Sequence, residues 1–527
     1  MRRSSRATWP ANPSWRRPGS APEGILMTTP AILTVDEGTT GTRAAWVTAD
    51  GAVHGLEYRH LSVSTPRVGI VEQDADDILA KTLDACRTVI DRAASEGVTL
   101  TAVAIATQRA TSVLWDTVTG RALVPAMVWQ DSRYADELSE LGREWDARLI
   151  PTVGRPAGVR SPYLWAVHHL AETAEVSQAY AQGRLGFGTI DTWLLWNLTR
   201  DRVYAATATN ATSSGAYVLQ ESRYETEWLQ ALGFPLDLLP ELKQDADDFG
   251  LSDEKKLGIS VPVLTAIGDQ HAGIVGLGCL DAGQAMCVHG TGSFVDLVIG
   301  DSQPKNPGLY DAALTLTAWR RHNVSRFTIE TFTATTGSAL DWLCDTLGWF
   351  ESSKMISELA ATVDSANGVM FIPALTGIRM PVVDPGVRAS LTGFTMATSR
   401  AEIAYGVLEG IAHSVASSAE ADQEVAGIDM TEIIVGGGMS SSDSLIQMQA
   451  DLIGVPMRRR PESDKASLRG AAFLGGSDGL LWGSLEEAVA AMGDGEIFEP
   501  RIGSQERADR RAAWNSRIAA ELQLSRR

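Results

Sequence analysis

Cysteine is scarce in this 527-residue chain: there are four, Cys86, Cys279, Cys287 and Cys344, and no Cys-x-x-Cys pair among them. That excludes a disulfide framework and reads as reduced, mostly buried thiols of a cytoplasmic protein. Positive charge is in deficit, with 45 Lys and Arg against 65 Asp and Glu and a net charge of -20. A nucleic-acid partner, which needs a Lys/Arg surface, is thereby disfavoured. A phosphate ligand is not, because backbone N–H groups, hydroxyls and Mg²⁺ hold one locally. No run of about 18 apolar residues is present, so no membrane span is expected. No lysine follows a glycine, which removes a Walker A loop. The run Gly436-Gly437-Gly438-Met439-Ser440-Ser441 puts Ser441 where the third glycine of a dinucleotide fingerprint belongs. Residues 1–27 are rich in Arg, Pro, Ser and Trp and lack an apolar h-region, so they are no signal peptide. They read as a disordered extension, or as the product of an upstream start with Met27 as the true first residue.

What is there describes an ordinary globular chain, 44% hydrophobic and 21% charged, long enough for two large domains. Residues 31–58 read as a three-stranded meander: Ile32–Val35, then Arg43–Val47, then a third strand after the turn signal Asp50-Gly51. A helix is expected from Asp74, as cap, to Gly97, as stop, with Ile78, Leu83, Cys86, Ile90 and Ala93 at helical spacing. Ala102–Ala106 reads as a buried strand with Thr107-Gln108-Arg109 at its carboxyl end. The run 261–267 repeats that pattern and ends in Gly268-Asp269-Gln270. Then Ala285–Val288, the turn His289-Gly290-Thr291-Gly292-Ser293 and Phe294–Ile299 echo the opening strand, turn and strand. The two turns lie about 250 residues apart, the size of one large domain. A helix over Ala401–Ser417, a strand at Ile433–Val435 and a helix over Ser444–Ile453 follow, and beyond about 485 the chain reads as charged and helical. The pattern predicts two similar α/β halves, 28–278 and 279–527, each a mixed sheet flanked by helices.

The turn after the first strand carries the chemistry: Val35-Asp36-Glu37-Gly38-Thr39-Thr40-Gly41-Thr42-Arg43. Gly38 and Gly41 let the backbone turn sharply and approach a ligand. Thr39, Thr40 and Thr42 add hydroxyl donors, successive N–H groups make an anion nest, and Arg43 adds a cation. Asp36 at the strand end is placed to hold Mg²⁺, directly or through water. A surface hairpin rich in threonine would read the same way. The second turn, Gly290-Thr291-Gly292, favours the ligand reading, because two such turns facing each other hold one polyphosphate between two domains.

The motifs VDEGTTGTRA, TQRATSVLWD, MVWQDSR, GTIDTWLLWNLT, IGDQHAG, HGTGSF and GGGMSSS, in that order, resemble the FGGY carbohydrate kinase family, and within it the glycerol kinases, over about residues 31–485. The resemblance implies a two-domain fold of the actin/Hsp70/hexokinase (ribonuclease H-like) type with ATP in the interdomain cleft. It implies transfer of the γ-phosphoryl group of Mg·ATP to a hydroxyl of a small polyol or sugar. Asp269 would be the base that takes the hydroxyl proton; a plain helix cap is the structural alternative for it. Gly38, Thr39, Thr40, Arg43, Gly290 and Thr291 would contact the phosphates, and Asp36 would orient the metal. Gly337, Asp341, Gly438 and Ser442 would lie around the adenosine, Asp341 and Ser442 replacing the family's Gln and Asn.

Around the acceptor, Arg109, Trp129, Asp269, Gln270 and Phe294 match the glycerol kinase pattern. Two positions depart from it: Ala110 replaces a Glu and Arg160 stands where a Tyr is usual. Loss of the Glu removes an acceptor for a hydroxyl, a contact of about 0.5–3 kcal/mol. Arg160 would place a cation suited to an acidic or phosphorylated group. In the alternative, Arg160 faces solvent and Tyr163 takes the tyrosine's place. Further departures are Trp165 and His168 for the family's Lys-x-x-Trp, and Val383 for the Trp before Asp384-Pro385. A homo-oligomer is compatible with this reading. An actin/Hsp70-type ATPase and a catalytically silent sugar-binding regulator are the competing functions; Asp269, Arg109 and the lack of an appended peptide-binding domain favour the kinase, and the presence of Asp36 and Asp269 disfavours the regulator.

Overall fold

A computed structural model describes residues 28–526; the expectation for 1–27 lies outside them. The chain opens with β1 (Thr29–Glu37), β2 (Gly41–Thr48) and β3 (Val53–His60), joined antiparallel as the meander reading requires. Helix α1 (Ala75–Ser95) starts where Asp74 Oδ1 accepts the N–H groups of Asp76 and Asp77, and it ends just before Gly97 at φ 73°. Strand β4 (Val98–Thr107) then pairs parallel to β1, and β5 (Val263–Gly268) parallel to β4. The sheet order is β5-β4-β1-β2-β3. Leu33 and Val35 of β1 pack toward α1, while Ile32 packs on the opposite face. Both faces are covered, so β1 is a continuous apolar run rather than an alternating one.

From β5 the chain enters α2 (Asp269–Leu277) and starts again with β6 (Gln284–His289) and β7 (Ser293–Gly300). Strands β8 (Leu314–Arg321) and β9 (Val324–Thr333), helix α3 (Arg400–Ala426), β10 (Glu432–Gly436), α4 (Asp443–Ile453) and β11 (Met457–Arg459) follow. Helix α5 (Ala466–Gly476), β12 (Glu496–Phe498) and α6 (Ser504–Ser525) close the chain. The second sheet runs β8-β9-β7-β6-β10-β11-β12. Its inner five strands reproduce the first sheet: an antiparallel meander β6-β7-β9, with β10 parallel to β6 and β11 parallel to β10. The expected duplication is therefore present in topology as well as in the two turns.

Two helix boundaries and one strand differ from expectation. Helix α3 extends to Ala426 because Ser417 bonds back to the His413 carbonyl and Ser418 is buried; Gly427, at φ 72°, is the actual stop. Its start is a capping box between Ser399 and Glu402. The tail beyond 485 is helical as α6, but Glu496–Phe498 adds an edge strand to the second sheet. Three residues are too few for periodicity to register.

Helices α2 and α5 cross between the sheets. They share one core with Ile32 and Val47 of the first sheet and Met286 and Ile434 of the second. A Cβ at Gly276 would lie 1.9 Å from the Ala466 carbonyl oxygen, and one at Gly470 would lie 1.8 Å from that of Ala272. Only glycine permits this approach. Above the crossing, Arg43 Nη1 donates to the Asp464 carbonyl (3.0 Å) and Trp482 Nε1 to that of Ala49 (2.8 Å). Arg109, just past the end of β4, reaches Phe294 on β7 and Glu330 on β9, so the carboxyl end of the first sheet faces the second. Among the described residues no helix is long and apolar enough to cross a membrane.

Candidate active site

Strands β1, β4 and β5 end level: Glu37 pairs with Thr107, and Thr107 with Gly268. Asp36, Arg109 and Asp269 therefore emerge side by side, at the edge where open α/β sheets bind ligands. Asp36 and Glu37 point to opposite faces of β1. Glu37 is buried and bonded to the hydroxyls of Thr42 and Thr82, the latter at 2.9 Å; burial pushes its carboxyl up to about 8. It is a structural acid. Asp36 lies directly opposite Arg43 in the β1–β2 ladder and accepts Nε (3.1 Å) and Nη2 on the same oxygen, Oδ2. Arg43 is thus engaged by Asp36 and by the Asp464 carbonyl, and Asp36 Oδ1 has no hydrogen-bond partner among the described residues.

The turn itself is held by Gly38 N–H to the Gly41 carbonyl (3.1 Å). Neither glycine has positive φ. Gly41 is required because a Cβ there would meet the Tyr58 ring at 2.2 Å, and Tyr58 OH binds the Thr40 carbonyl (2.9 Å). Thr39 accepts from Trp129 Nε1 on its hydroxyl (2.8 Å) and from Gln73 Nε2 on its carbonyl (2.7 Å). This ties the phosphate-type turn to the tryptophan expected beside the acceptor.

Asp269 is the first residue of α2, with Gly268 as its cap. A Cβ at Gly268 would stand 2.8 Å from His271 Nδ1 and 2.9 Å from Arg109 Cδ, so glycine makes room for both side chains. Asp269 Oδ1 accepts the Gln270 N–H (2.7 Å) and lies 3.7 Å from Arg109 Nε. No protein donor binds its Oδ2 among the described residues. Burial raises the Asp269 carboxyl to about 6; Arg109 opposes that rise, and Asp36 and Glu330 reinforce it. Its side chain keeps 23% of its surface open. This is a carboxylate near the solvent cleft whose proton affinity sits close to neutral pH, a property suited to a general base.

Across the cleft, Phe294 on β7 packs against Phe332 of β9, the rings tilted by 32° with centroids 4.4 Å apart. Arg109 lies over Phe294 (6.0 Å) and pairs with Glu330 Oε2 (2.7 Å). Arg160 lies over the Trp129 ring (5.9 Å). Tyr163 does not take that place: it is buried against Phe234 and Phe187, at 5.2 and 5.6 Å. Trp165 is buried, and His168 stacks on Tyr134 at 4.3 Å.

The second turn mirrors the first. Gly290 N–H binds the Gly292 carbonyl (2.8 Å), and Gly337 N–H binds the Gly290 carbonyl (3.1 Å). A Cβ on Gly337 would stand 2.5 Å from Gly290 O and 3.5 Å from Met439 Sδ, so the loops carrying Gly290, Gly337 and Gly438 meet. Gly438 itself faces open space and lines a cleft of about 620 Å³ with Gly437, Ser440, Arg459 and Asp464. Gly290 and Thr291 are exposed. Ser442 caps α4, accepting the Leu445 N–H (3.3 Å) and bonding Ser357 Oγ (2.8 Å), so its hydroxyl is committed to the fold. Asp341 is exposed.

Sequence reasoning missed Glu330, Arg155, Arg379 and the helix at 208–213. Thr209 of that helix holds the Gly268 N–H (2.9 Å) and is itself anchored on Asp245 (2.6 Å). The run Thr207–Ser214, polar at six of eight positions, was its only visible signal. Glu330 pairs across the ladder with Asp296, whose carboxyl is pushed well up by burial and by Glu330.

Comparison with known proteins agrees with this geometry. Residues 31–276 match the N-terminal domain, and 285–478 the C-terminal domain, of the FGGY family of carbohydrate kinases. The chain is 32% identical over 495 residues to the glycerol kinase of Deinococcus radiodurans, covering 93% of this chain and 97% of that one. It is 34% identical over 496 residues to the glycerol kinase of Thermus brockianus, covering 92% and 97%. The crystal structure of Plasmodium falciparum glycerol kinase with ADP superposes with a TM-score of 0.86 at 23% identity, over 94% of this chain and 98% of that one. With its duplicated sheets, paired glycine–threonine turns and strand-end aspartate, the chain belongs to the FGGY family of carbohydrate kinases, phosphotransferases with an alcohol group as acceptor.

Proposed function

We propose that the protein transfers the γ-phosphoryl group of Mg·ATP to a hydroxyl of a small polyol or sugar bound between Trp129 and Phe294. The observation that carries this reading is Asp269: a carboxylate at a strand mouth, one oxygen tied to the Gln270 N–H and the other open, beside Arg109 and Asp36. In the reaction the acceptor oxygen forms a bond to the γ-phosphorus, and the bond to the β–γ bridging oxygen breaks. ADP leaves with that oxygen, and the acceptor proton passes to Asp269. Phosphoryl transfer asks the protein chiefly for alignment and charge placement. Gln270 and Arg109 orient the acceptor, and Phe294 and Trp129 give it apolar walls. Gly38, Thr39 and Thr40 on one side and Gly290 and Thr291 on the other would hold the phosphates. Gly337 and Gly438 let the nucleoside approach the backbone.

Among the described residues no group of three or more His, Cys, Asp or Glu is arranged as a metal site. The single carboxylate of Asp36 fits Mg²⁺ carried in by the triphosphate, since Mg²⁺ keeps much of its water and needs one or two carboxylates. Asp36 Oδ1 is the oxygen that would receive it. When bound, the ion neutralises charge on the β- and γ-phosphates. The test is ADP release from Mg·ATP with a panel of polyols and sugars. Acceptor-dependent ADP supports the kinase. Equal ADP without acceptor would mean an ATPase, and no turnover with any acceptor would mean a binding regulator.

A further inference from the structure

Three arginines crowd the acceptor pocket without an ion-pair partner. Arg109 is matched by Glu330 and Asp269, but Arg155, Arg160 and Arg379 pair with no carboxylate among the described residues. Arg155 is only 7% exposed; its Nη1 donates to the Ser213 carbonyl (2.6 Å), while its Nε is buried and has no partner. Arg160 Nε is also buried and unpartnered. Arg160 lies over Trp129, and Arg379 lies 5.3 Å over Phe332, the ring packed against Phe294. Arg160 and Arg379 therefore flank the aromatic walls between which the acceptor is proposed to sit, and Arg155 is buried behind them near Arg160.

Burial lowers Arg155 to about 10 and Arg160 to about 9, in Arg160 helped by Arg155 and Arg109; both stay charged at neutral pH. Glu330 acts on both as an opposite charge but is itself paired with Arg109, and the carboxyls of Asp296 and Asp422 beside it are pushed well up by burial, which weakens them as counter-charges. Buried cations short of counter-charge are costly, and an anionic ligand relieves that cost. Arginine is also the side chain that grips carboxylate and phosphate with two parallel N–H bonds.

We propose that the acceptor is an anionic polyol, bearing a carboxylate or phosphate that Arg155, Arg160 and Arg379 receive while its hydroxyl meets Asp269. The anionic group takes no part in the transfer; it fixes which end of the acceptor faces the γ-phosphate. The inference rests on the kinase reading for the hydroxyl, but its anion-binding content is separately measurable.

The experiment compares matched acceptors of three to six carbons on the full chain with Mg·ATP: each neutral polyol, its aldonate and its terminal phosphate ester. ADP release gives kcat and KM, and calorimetry on the wild-type protein gives binding without turnover. At least one anionic member is expected to exceed its neutral counterpart tenfold in kcat/KM and in affinity. Preference for the aldonate or for the phosphate ester decides which anion the pocket serves. Arg160→Gln and Arg379→Ala, checked for folding by thermal melts, should raise KM for that anion at least tenfold, with a smaller change in kcat. The anion-to-neutral ratio should collapse, which a purely structural role would not produce. Neutral acceptors turned over as well as or better than every anion would overturn the proposal and leave the kinase standing. Anion binding that depends on Arg160 without any ADP release would uphold the anion site, overturn its role for an acceptor and remove the kinase reading. Neither binding nor turnover of any anion would overturn it.

Discussion

As the proposed base, Asp269 ties structure to the proposed reaction most directly, and its ionisation sets a measurable slope. Its carboxyl lies near pH 6 because burial opposes charge, as do Asp36 and Glu330, against the pull of Arg109 and the Gln270 N–H. At pH 7 about nine tenths of the free enzyme carries the ionised base, and at pH 5 about one tenth. With an acceptor that does not itself titrate between pH 5 and 8, kcat/KM should fall roughly tenfold between pH 7 and pH 5, approaching unit slope. Asp269→Asn keeps the shape and the Gln270 contact but cannot take the proton, so kcat should drop by about 10²–10⁴. Nucleotide affinity, measured by calorimetry with ADP, should change little.

The same substitution has a stability consequence of opposite sign. Raising the carboxyl from 3.8 to about 6 means the folded state binds the proton more tightly than the unfolded chain. The resulting stabilisation is complete below pH 3.8 and is lost as pH rises through 6. At pH 7 the ionised Asp269 therefore costs the fold about 3 kcal/mol at most, from roughly two pKa units at 1.36 kcal/mol each. Asp269→Asn should be nearly inactive yet melt at a higher temperature than wild type at pH 7, with the gap closing toward pH 4. A flat rate profile down to pH 5, or an Asn variant turning over at wild-type speed, would refute the base assignment.

Other perturbations test the frame. Gly470→Ala drives a methyl group into the Ala272 carbonyl and should destabilise by about 1–3 kcal/mol in urea melts, because the crossing of α2 and α5 has no room to relax. Arg43→Met leaves the buried Asp36 unpaired and cuts the tie to Asp464; a loss of about 2 kcal/mol is expected, below the usual buried-pair range because Arg43 is 31% exposed. Its Mg·ATP affinity, followed by calorimetry, should also weaken. Glu37→Gln should flatten the pH dependence of stability. In wild type the contribution of the raised Glu37 carboxyl is lost as pH rises through 8, so the variant's advantage in melts should grow from pH 5 to pH 9.

Much of the site was legible locally. Two glycine–threonine turns bracketed by apolar runs, and carboxylates placed at strand ends, follow from short-range chemistry, since turn residues and strand propensity act over a few positions. Reading glycines was less secure. Gly41 sits in the sharp turn as expected, but what demands glycine there is the Tyr58 ring, and a ring 17 residues away leaves no mark on the turn's own sequence. Ser442, expected near the adenosine, also caps α4, and its hydroxyl is engaged by the Leu445 N–H and the Ser357 hydroxyl. Arg160 was singled out for its charge, but whether it faced solvent or Trp129 depended on where Tyr163 packed. The Phe187–Phe234 cluster decided that.

What the amino-acid order alone determined is the repeating strand-turn-strand grammar, the two-half organisation and the identity of Asp36, Arg109, Trp129 and Asp269 as chemical groups. The tertiary structure decided their company. Glu330 reaches Arg109 from more than 200 residues away only because β9 is registered against β7 and the two sheets are clamped by glycines where α2 meets α5. The proton affinity of Asp269 and the unmatched charge of Arg155, Arg160 and Arg379 are sums over space, set by burial and distance, and a linear chain carries neither quantity.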